Sequence, residues 1–210
     1  VTWGFNYRLY HNKIYDGALL SFIPRDRINQ LFSGYIRDEI TLIPERLKLT
    51  LGTRLDHNDF TGLEVQPNGR LMWTPNEKNS IWLAISRAVR TPSRAENDVL
   101  FNYGTQGKPP FLTVLQLNGS PHFNSEKLLA YEAGYRYQLA PQASIDIAAF
   151  YNDYSQLRDL TFDPRLGSFH AGIPSYFLLP IGLNNKASGQ TQGVEVSVDW
   201  QPHEKWRLQG

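Results

Sequence analysis

Three arginines, Arg87, Arg90 and Arg94, stand at and just beyond the end of one extended stretch. Guanidinium groups grouped this way can contact an anionic ligand, or they can pair with carboxylates on neighbouring segments; both readings stay open. The five histidines, at 11, 57, 122, 170 and 203, lack the i, i+2 or i, i+4 partners of a metal site. Asp56-His57-Asn58-Asp59 is rich in oxygen but lacks calcium-loop spacing. No metal or cofactor is therefore expected. Glu132 and Glu195 each sit beside a glycine on a polar strand face and are expected to join salt-bridge networks with residues such as Arg54 and Arg136. There is no G-x-S-x-G elbow, no H-E-x-x-H and no glycine-rich phosphate loop, so the chain is not expected to be an enzyme. Aromatics enrich the long connections: Tyr103, Phe111, Phe123, Phe162, Phe169, Tyr176 and Phe177. Such residues form ligand platforms on loops or pack against one another.

The elements that carry these residues alternate at period two. In Glu45–Asp56, Leu47, Leu49, Leu51 and Leu55 take one face, and Lys48, Thr50, Arg54 and Asp56 the other. The same alternation recurs in 1–9, 30–43, 63–73, 80–87, 127–139, 143–157 and 189–200, with a further strand starting at Trp206. Asp38 falls on an apolar face and spoils that pattern. Pro67 cannot donate to a ladder, so its strand should be irregular there. No helical period of useful length is present.

Net charge is +1, which implies no strong attraction to nucleic acid. The chain has no cysteine, hence no disulfide or thiolate site. Mean hydropathy is −0.42, and no apolar run approaches the roughly 18 residues of a spanning helix. A membrane β-barrel escapes that criterion, because its strands need only about 9–11 residues and half their side chains are polar. Aromatics make up 13% of the chain, and Trp73, Tyr137 and Trp200 each sit beside a short turn, where an interface girdle belongs. The connections are long at one end (10–29, 88–126, 158–188) and short at the other, with 57–62 the one short exception at the long end. Short turns and long loops at opposite ends are the layout of an outer-membrane barrel.

Several motifs, in order, resemble the barrel of TonB-dependent outer-membrane receptors. They are Tyr35-Ile36-Arg37-Asp38-Glu39-Ile40, Leu49-Thr50-Leu51-Gly52-Thr53-Arg54-Leu55-Asp56, and Gln66-Pro67-Asn68. Ile85-Ser86-Arg87-Ala88-Val89-Arg90-Thr91-Pro92-Ser93 follows, close to that family's S-R-A-x-R-x-P signature. Then come Tyr131-Glu132-Ala133-Gly134, Ala149-Phe150-Tyr151-Asn152-Asp153 and Gly193-Val194-Glu195. Each is loose alone; their order over nearly the whole chain is specific. The resemblance implies an all-β, antiparallel transmembrane barrel segment, about eight strands of a roughly 22-stranded wall. Residues 1–210 would be one part of that barrel domain, with the plug and the remaining strands outside it.

The implied protein sits in the cell outer membrane, in contact with its lipid. It would import a scarce nutrient, above all a ferric siderophore or similar chelate, on energy from the TonB complex acting through the plug. Ligand contacts would fall on Arg87, Arg90, Arg94, Tyr103, Phe111, Phe169 and Tyr176. The alternatives are a passive porin or adhesin barrel, or a soluble β-rich glycan-binding module. Leu49→Arg is expected to cost roughly 2–4 kcal/mol in a bilayer wall, and Thr50→Arg little. The piece is not expected to fold alone, since edge strands would be left unpaired in lipid.

Overall fold

Period-two alternation becomes strand along most of the chain. The computed structural model describes residues 1–108, 112–172 and 174–210. Its elements are β1 (Thr2–Lys13), β2 (Leu20–Phe22), β3 (Asp26–Ile43), β4 (Leu47–Asn58), β5 (Gly62–Asn76), β6 (Asn79–Arg90), α1 (Arg94–Asp98), β7 (Val99–Gln106), β8 (Leu112–Asn118), β9 (Glu126–Ala140), β10 (Ala143–Phe162), β11 (Ser168–His170), β12 (Tyr176–His203) and β13 (Trp206–Gln209). Tight turns join β3 to β4, β5 to β6, β9 to β10 and β12 to β13. They lie at one end of the sheet, and the long connections lie at the other.

One sheet holds every described strand, in the order β1-β3-β4-β5-β6-β9-β10-β12-β8-β7-β2, with β11 and β13 each paired to β12 beside that path. Its register aligns the apolar faces. A single row runs Ile40, Leu49, Leu71, Leu83, Ala133, Ala149, Val194 across seven strands. The adjacent row, Glu39, Thr50, Arg70, Ala84, Glu132, Phe150, Gly193, is polar or small, apart from the single ring of Phe150. Asp38, opposite Leu51, stays within the apolar rows.

Burial runs opposite to that of a soluble sandwich. Val194 and Val196 are 67% and 61% exposed, whereas Thr50, Asp56, Asn58 and Glu64 are buried. The sheet therefore curls toward its polar face and turns its apolar face outward. Three aromatic rings on the polar face lie across glycines on the paired strand. Tyr35 covers Gly4, Trp82 covers Gly134 and Phe150 covers Gly193; a Cβ at Gly134 would run into the indole ring of Trp82. Glycine at these points lets the strand bend while the ring replaces the missing side-chain contact.

Pro67 acts as the sequence predicts. It pairs with Thr53 of β4, but the ladder between β5 and β6 stops beside it, at Asn68–Ser86. Side chains bridge the resulting gap: Arg87 Nη1 donates to the Val65 carbonyl, and the Val89 N–H donates 3.3 Å to Gln66 Oε1.

The long connections are more ordered than their sequence suggests. β1 continues to Lys13 and β3 begins at Asp26, so only 14–25 connects them, with β2 inside. The stretch read as a loop from 88 to 126 holds the end of β6, then α1, β7, β8 and the first residue of β9. The stretch from 158 to 188 is mostly the outer parts of β10 and β12. The 28 residues of β12 far exceed the roughly 9–11 needed to cross a hydrocarbon core, so its outer half projects beyond the wall. There β8 pairs with it in parallel, Leu112–Asn118 against Tyr176–Gly182; β7 pairs with β8, and β2 with β7. Three connections are thus hydrogen-bonded into one cap.

Candidate ligand site at the loop end of the sheet

The cap is built on α1. Ser93 precedes the helix and Glu96 follows three residues later, the spacing of a capping box. The Glu96 carboxylate accepts from the Ser93 N–H at 2.8 Å and from its hydroxyl at 3.1 Å. It also takes a two-pronged pair from Arg90: Nη2 to Oε1 at 2.6 Å and Nη1 to Oε2 at 3.1 Å. Arg90 Nε donates to Glu126 Oε2 at 2.7 Å, and Arg158 Nη1 lies 3.6 Å from Glu96. Burial pushes the Glu96 carboxyl up, but the hydrogen bonds from Arg90 and Ser93 outweigh it and hold the group below the usual glutamate range.

Arg94, one turn from Asp98, is itself buried. Its Nε donates to Asp98 at 3.0 Å, and its two terminal nitrogens donate to the carbonyls of Asn12 and Pro24. Arg27 Nη1 reaches the same Asp98 at 2.6 Å, with its guanidinium stacked 4.4 Å from the Phe60 ring. These bonds fasten α1 to β1 and β3. Val99 and Leu183 bury with Phe123, and Phe22, Phe101 and Leu117 pack around them. Beside this small core a cleft of about 710 Å³ is lined by Leu20, Phe101, Leu117 and Leu160, with Glu96 and Arg158 at its edge.

The three arginines therefore do not converge. Arg87 stands opposite Leu129, in the rows of the apolar face, and leans across the gap beside Pro67 to lie 3.6 Å from Glu64. Arg90 belongs to the polar face and Arg94 to the helix. All three meet carboxylates of this chain. Of the loop aromatics, Phe123 is core, at 2% exposure, and Tyr103 and Phe169 are open, at 74% and 66%. Tyr176 stacks flat on His170, 4.9 Å between centroids, while Ser168 Oγ sits 3.0 Å from His170 Nε2. Phe111 lies outside the described residues.

Glu132 and Glu195 form no ion pair among the described residues, contrary to expectation. Arg54 pairs instead with Asp56 at 2.9 Å and Arg136 with Asp146 at 2.6 Å, each across the shorter reach on the same face. Among the described residues no three His, Asp or Glu gather as a metal site, and no helix is long and apolar enough to cross a membrane. Glu96, Glu126 and Asp98, the carboxylates that organise the cap, were not singled out by sequence reasoning. The Ser93-x-x-Glu96 spacing was the available signal for the first.

A curled sheet, antiparallel except for the β8–β12 pair of the cap, with its apolar side outward and its polar side inward is a piece of a membrane-barrel wall. The model of the TonB-dependent receptor-like β-barrel matches residues 1–210, and the chain belongs to that family, an outer-membrane family of transport receptors. No curated protein sequence matches the chain. Among solved structures, a variant of the ferric enterobactin receptor PfeA of Pseudomonas aeruginosa, in complex with enterobactin, superposes with TM-score 0.74 at 21% identity. The match covers 88% of this chain and 26% of that one. The siderophore receptor PirA of Acinetobacter baumannii gives 0.68 at 18% identity, covering 84% and 26%. The FrpB iron transporter of Neisseria meningitidis gives 0.61 at 13%, covering 96% and 30%. At these identities the likeness is one of fold, and the chain spans about a quarter to a third of the length of these structures.

Proposed function

We propose that the chain is a section of the barrel wall of an outer-membrane receptor that imports a ferric siderophore or similar chelate, driven by the TonB complex through a plug domain outside this sequence. The observation that carries the reading is the cap: three long connections at one end of an inside-out sheet, hydrogen-bonded together and presenting exposed aromatics. The family match and the siderophore-receptor neighbours support the same class. Within this reading Tyr103, Phe169 and Tyr176 offer flat apolar surface to the ligand, with Phe111 in the same connection as Tyr103. Arg90 and Arg94 act one step back, fastening α1 and the start of β9 beneath those rings, while Arg87 ties β6 to β5; Arg90, half exposed, is the one of the three open enough to meet an anion as well. Binding and gated passage need no covalent chemistry.

The test is uptake. A strain lacking the full-length protein is supplied with iron-55 on a panel of ferric catecholates, hydroxamates and carboxylates. Loss of uptake of one class, restored by the intact gene and not in a strain lacking TonB, is the expected result. Uptake that persists without TonB would leave a passive pore, and a full-length protein found soluble in the periplasm would reject the class.

A further inference from the structure

The β10–β12 ladder breaks twice in a short space, between Tyr154 and Leu157 and between Leu157 and Asp159. Gln156, in the first break, has φ +56, a left-handed conformation that a side chain disfavours. Below the breaks β10 and β12 are wall. Above them the same two strands carry the cap, because the parallel pairing with β8 lies wholly on the outer side, at Tyr176–Gly182. Pairing of β9 with β10 also ends here, at Lys127–Ser155. The breaks therefore leave β10 backbone groups without ladder partners at the point where wall becomes projection.

Two side chains take those groups. Asn185 Nδ2 donates to the Gln156 carbonyl at 2.9 Å, and Glu126 Oε1 accepts from the Arg158 N–H at 2.9 Å. Each also grips the segment that returns from the cap to β9. Asn185 accepts from the Asn124 N–H at 2.7 Å and donates to the Asn124 carbonyl at 3.0 Å, so its amide stands in for one rung of a strand. Glu126 belongs to that segment and is held by Arg90. The return segment is tied to α1 in turn: the Ser120 N–H donates to the Glu96 carbonyl at 2.9 Å, and Asn97 Nδ2 donates to the Ser120 carbonyl at 3.2 Å.

We propose that Asn185 and Glu126 are positioning residues: they bridge the broken rungs of β10 to the return segment and so set the angle at which the cap and the β10–β12 tip stand on the barrel wall. A pair of bulges bends and twists a strand pair, and with its free backbone groups unclaimed that bend has no single value. The inference concerns the geometry of the cap and holds whichever ligand the receptor takes. If the tip aromatics meet the ligand, the same two residues set their placement.

The experiment uses the full-length protein in isolated outer membranes, with nitroxide labels on Leu166→Cys at the tip and Leu63→Cys at the start of β5, both exposed. The distance between them is read by pulsed electron spin resonance, and heat-modifiable gel mobility reports whether the barrel has formed. The parent is expected to give one narrow distance. Asn185→Ala and Glu126→Ala are expected to add a second, displaced population while the barrel still forms. Glu126→Gln, which keeps the acceptor for the Arg158 N–H, is expected to retain the narrow distance. An unchanged distance in both alanine variants overturns the inference. Should the alanine variants fail to insert, Asn185→Asp decides, since it keeps the acceptor for Asn124 and loses both donors. A second population there supports positioning; an unchanged distance, or failure of that variant to insert as well, overturns it, the latter because the residues would then be needed to form the wall itself.

Discussion

Individual side chains at the loop end are arranged so that charge is consumed inside the chain. Glu96 shows this most plainly: four donors from Arg90 and Ser93 converge on one carboxylate that exposes almost no surface. Because its folded pKa is held below the ordinary glutamate value, its contribution is complete above that value, about 4.3, and is lost as pH falls through the lower folded value. In the full-length protein the distance between labels at Leu166→Cys and Leu63→Cys is expected to stay narrow at pH 5–8 and to broaden only below about pH 4. In Glu96→Gln the acid step should vanish and the distance should be broad throughout. A parent step near pH 6 would assign the switch to a histidine instead. On the polar face, Trp82 and Gly134 make a matched pair. Gly134→Val should lower stability by about 1–3 kcal/mol through overpacking. Most of that loss should disappear in a Trp82→Ala background, as read from denaturation midpoints of the full-length barrel in micelles. Equal losses in both backgrounds would mean that the backbone, not the indole, requires glycine there.

Elements owe their stability to which side meets which solvent. The apolar rows are complete only when seven strands stand in register, and they are exposed, so their favourable partner is hydrocarbon. Val196→Arg on the outward face is expected to cost roughly 2–4 kcal/mol in a bilayer, and its neighbour Ser197→Arg close to nothing. Unfolding of the full-length protein in lipid vesicles measures both; equal costs would contradict the assignment of faces. Ser197 is the better control than Thr50, whose 7% exposure leaves no room for an arginine on the inner face. The strand breaks follow local chemistry too. Pro67 removes a donor, the β5–β6 ladder ends beside it, and Arg87 supplies the bond that crosses the gap. This accounts for an arginine on the strand face that also carries Ile81, Leu83 and Ile85.

For the whole molecule, the outer edge of β1 carries no partner strand among the described residues, and the wall is curled rather than closed. Unpaired backbone groups are prohibitive in hydrocarbon and invite association in water. Residues 1–210 expressed alone are therefore expected to aggregate or to remain unfolded in detergent-free buffer, by size-exclusion chromatography and circular dichroism. A monomer with a cooperative thermal transition would contradict the wall reading. The full-length protein is expected to sediment with outer membranes and to show heat-modifiable mobility.

Period-two alternation, tight-turn chemistry at Pro44-Glu45 and Pro141-Gln142, and girdle aromatics at Trp73, Tyr137 and Trp200 were legible in the sequence because each is a local consequence of strand geometry. They determined the class of fold, the two faces and the end at which the loops gather. The long connections were not legible. β2 has three residues and β8 has seven, too short for a pattern, and both are stabilised by pairing with segments far away in the chain. The same distance hid the partners of Arg90 and Arg94: Glu126 is 36 residues from Arg90, and Asn12 is 82 from Arg94. Proximity along the chain left open whether the three arginines form one basic patch or pair with carboxylates. Strand parity and a five-residue helix separated them, and nearby carboxylates neutralised them. Local residue chemistry therefore determined that this chain is a barrel wall, whereas only tertiary pairing decided which of its charged groups are free to meet a ligand and which hold the cap in place.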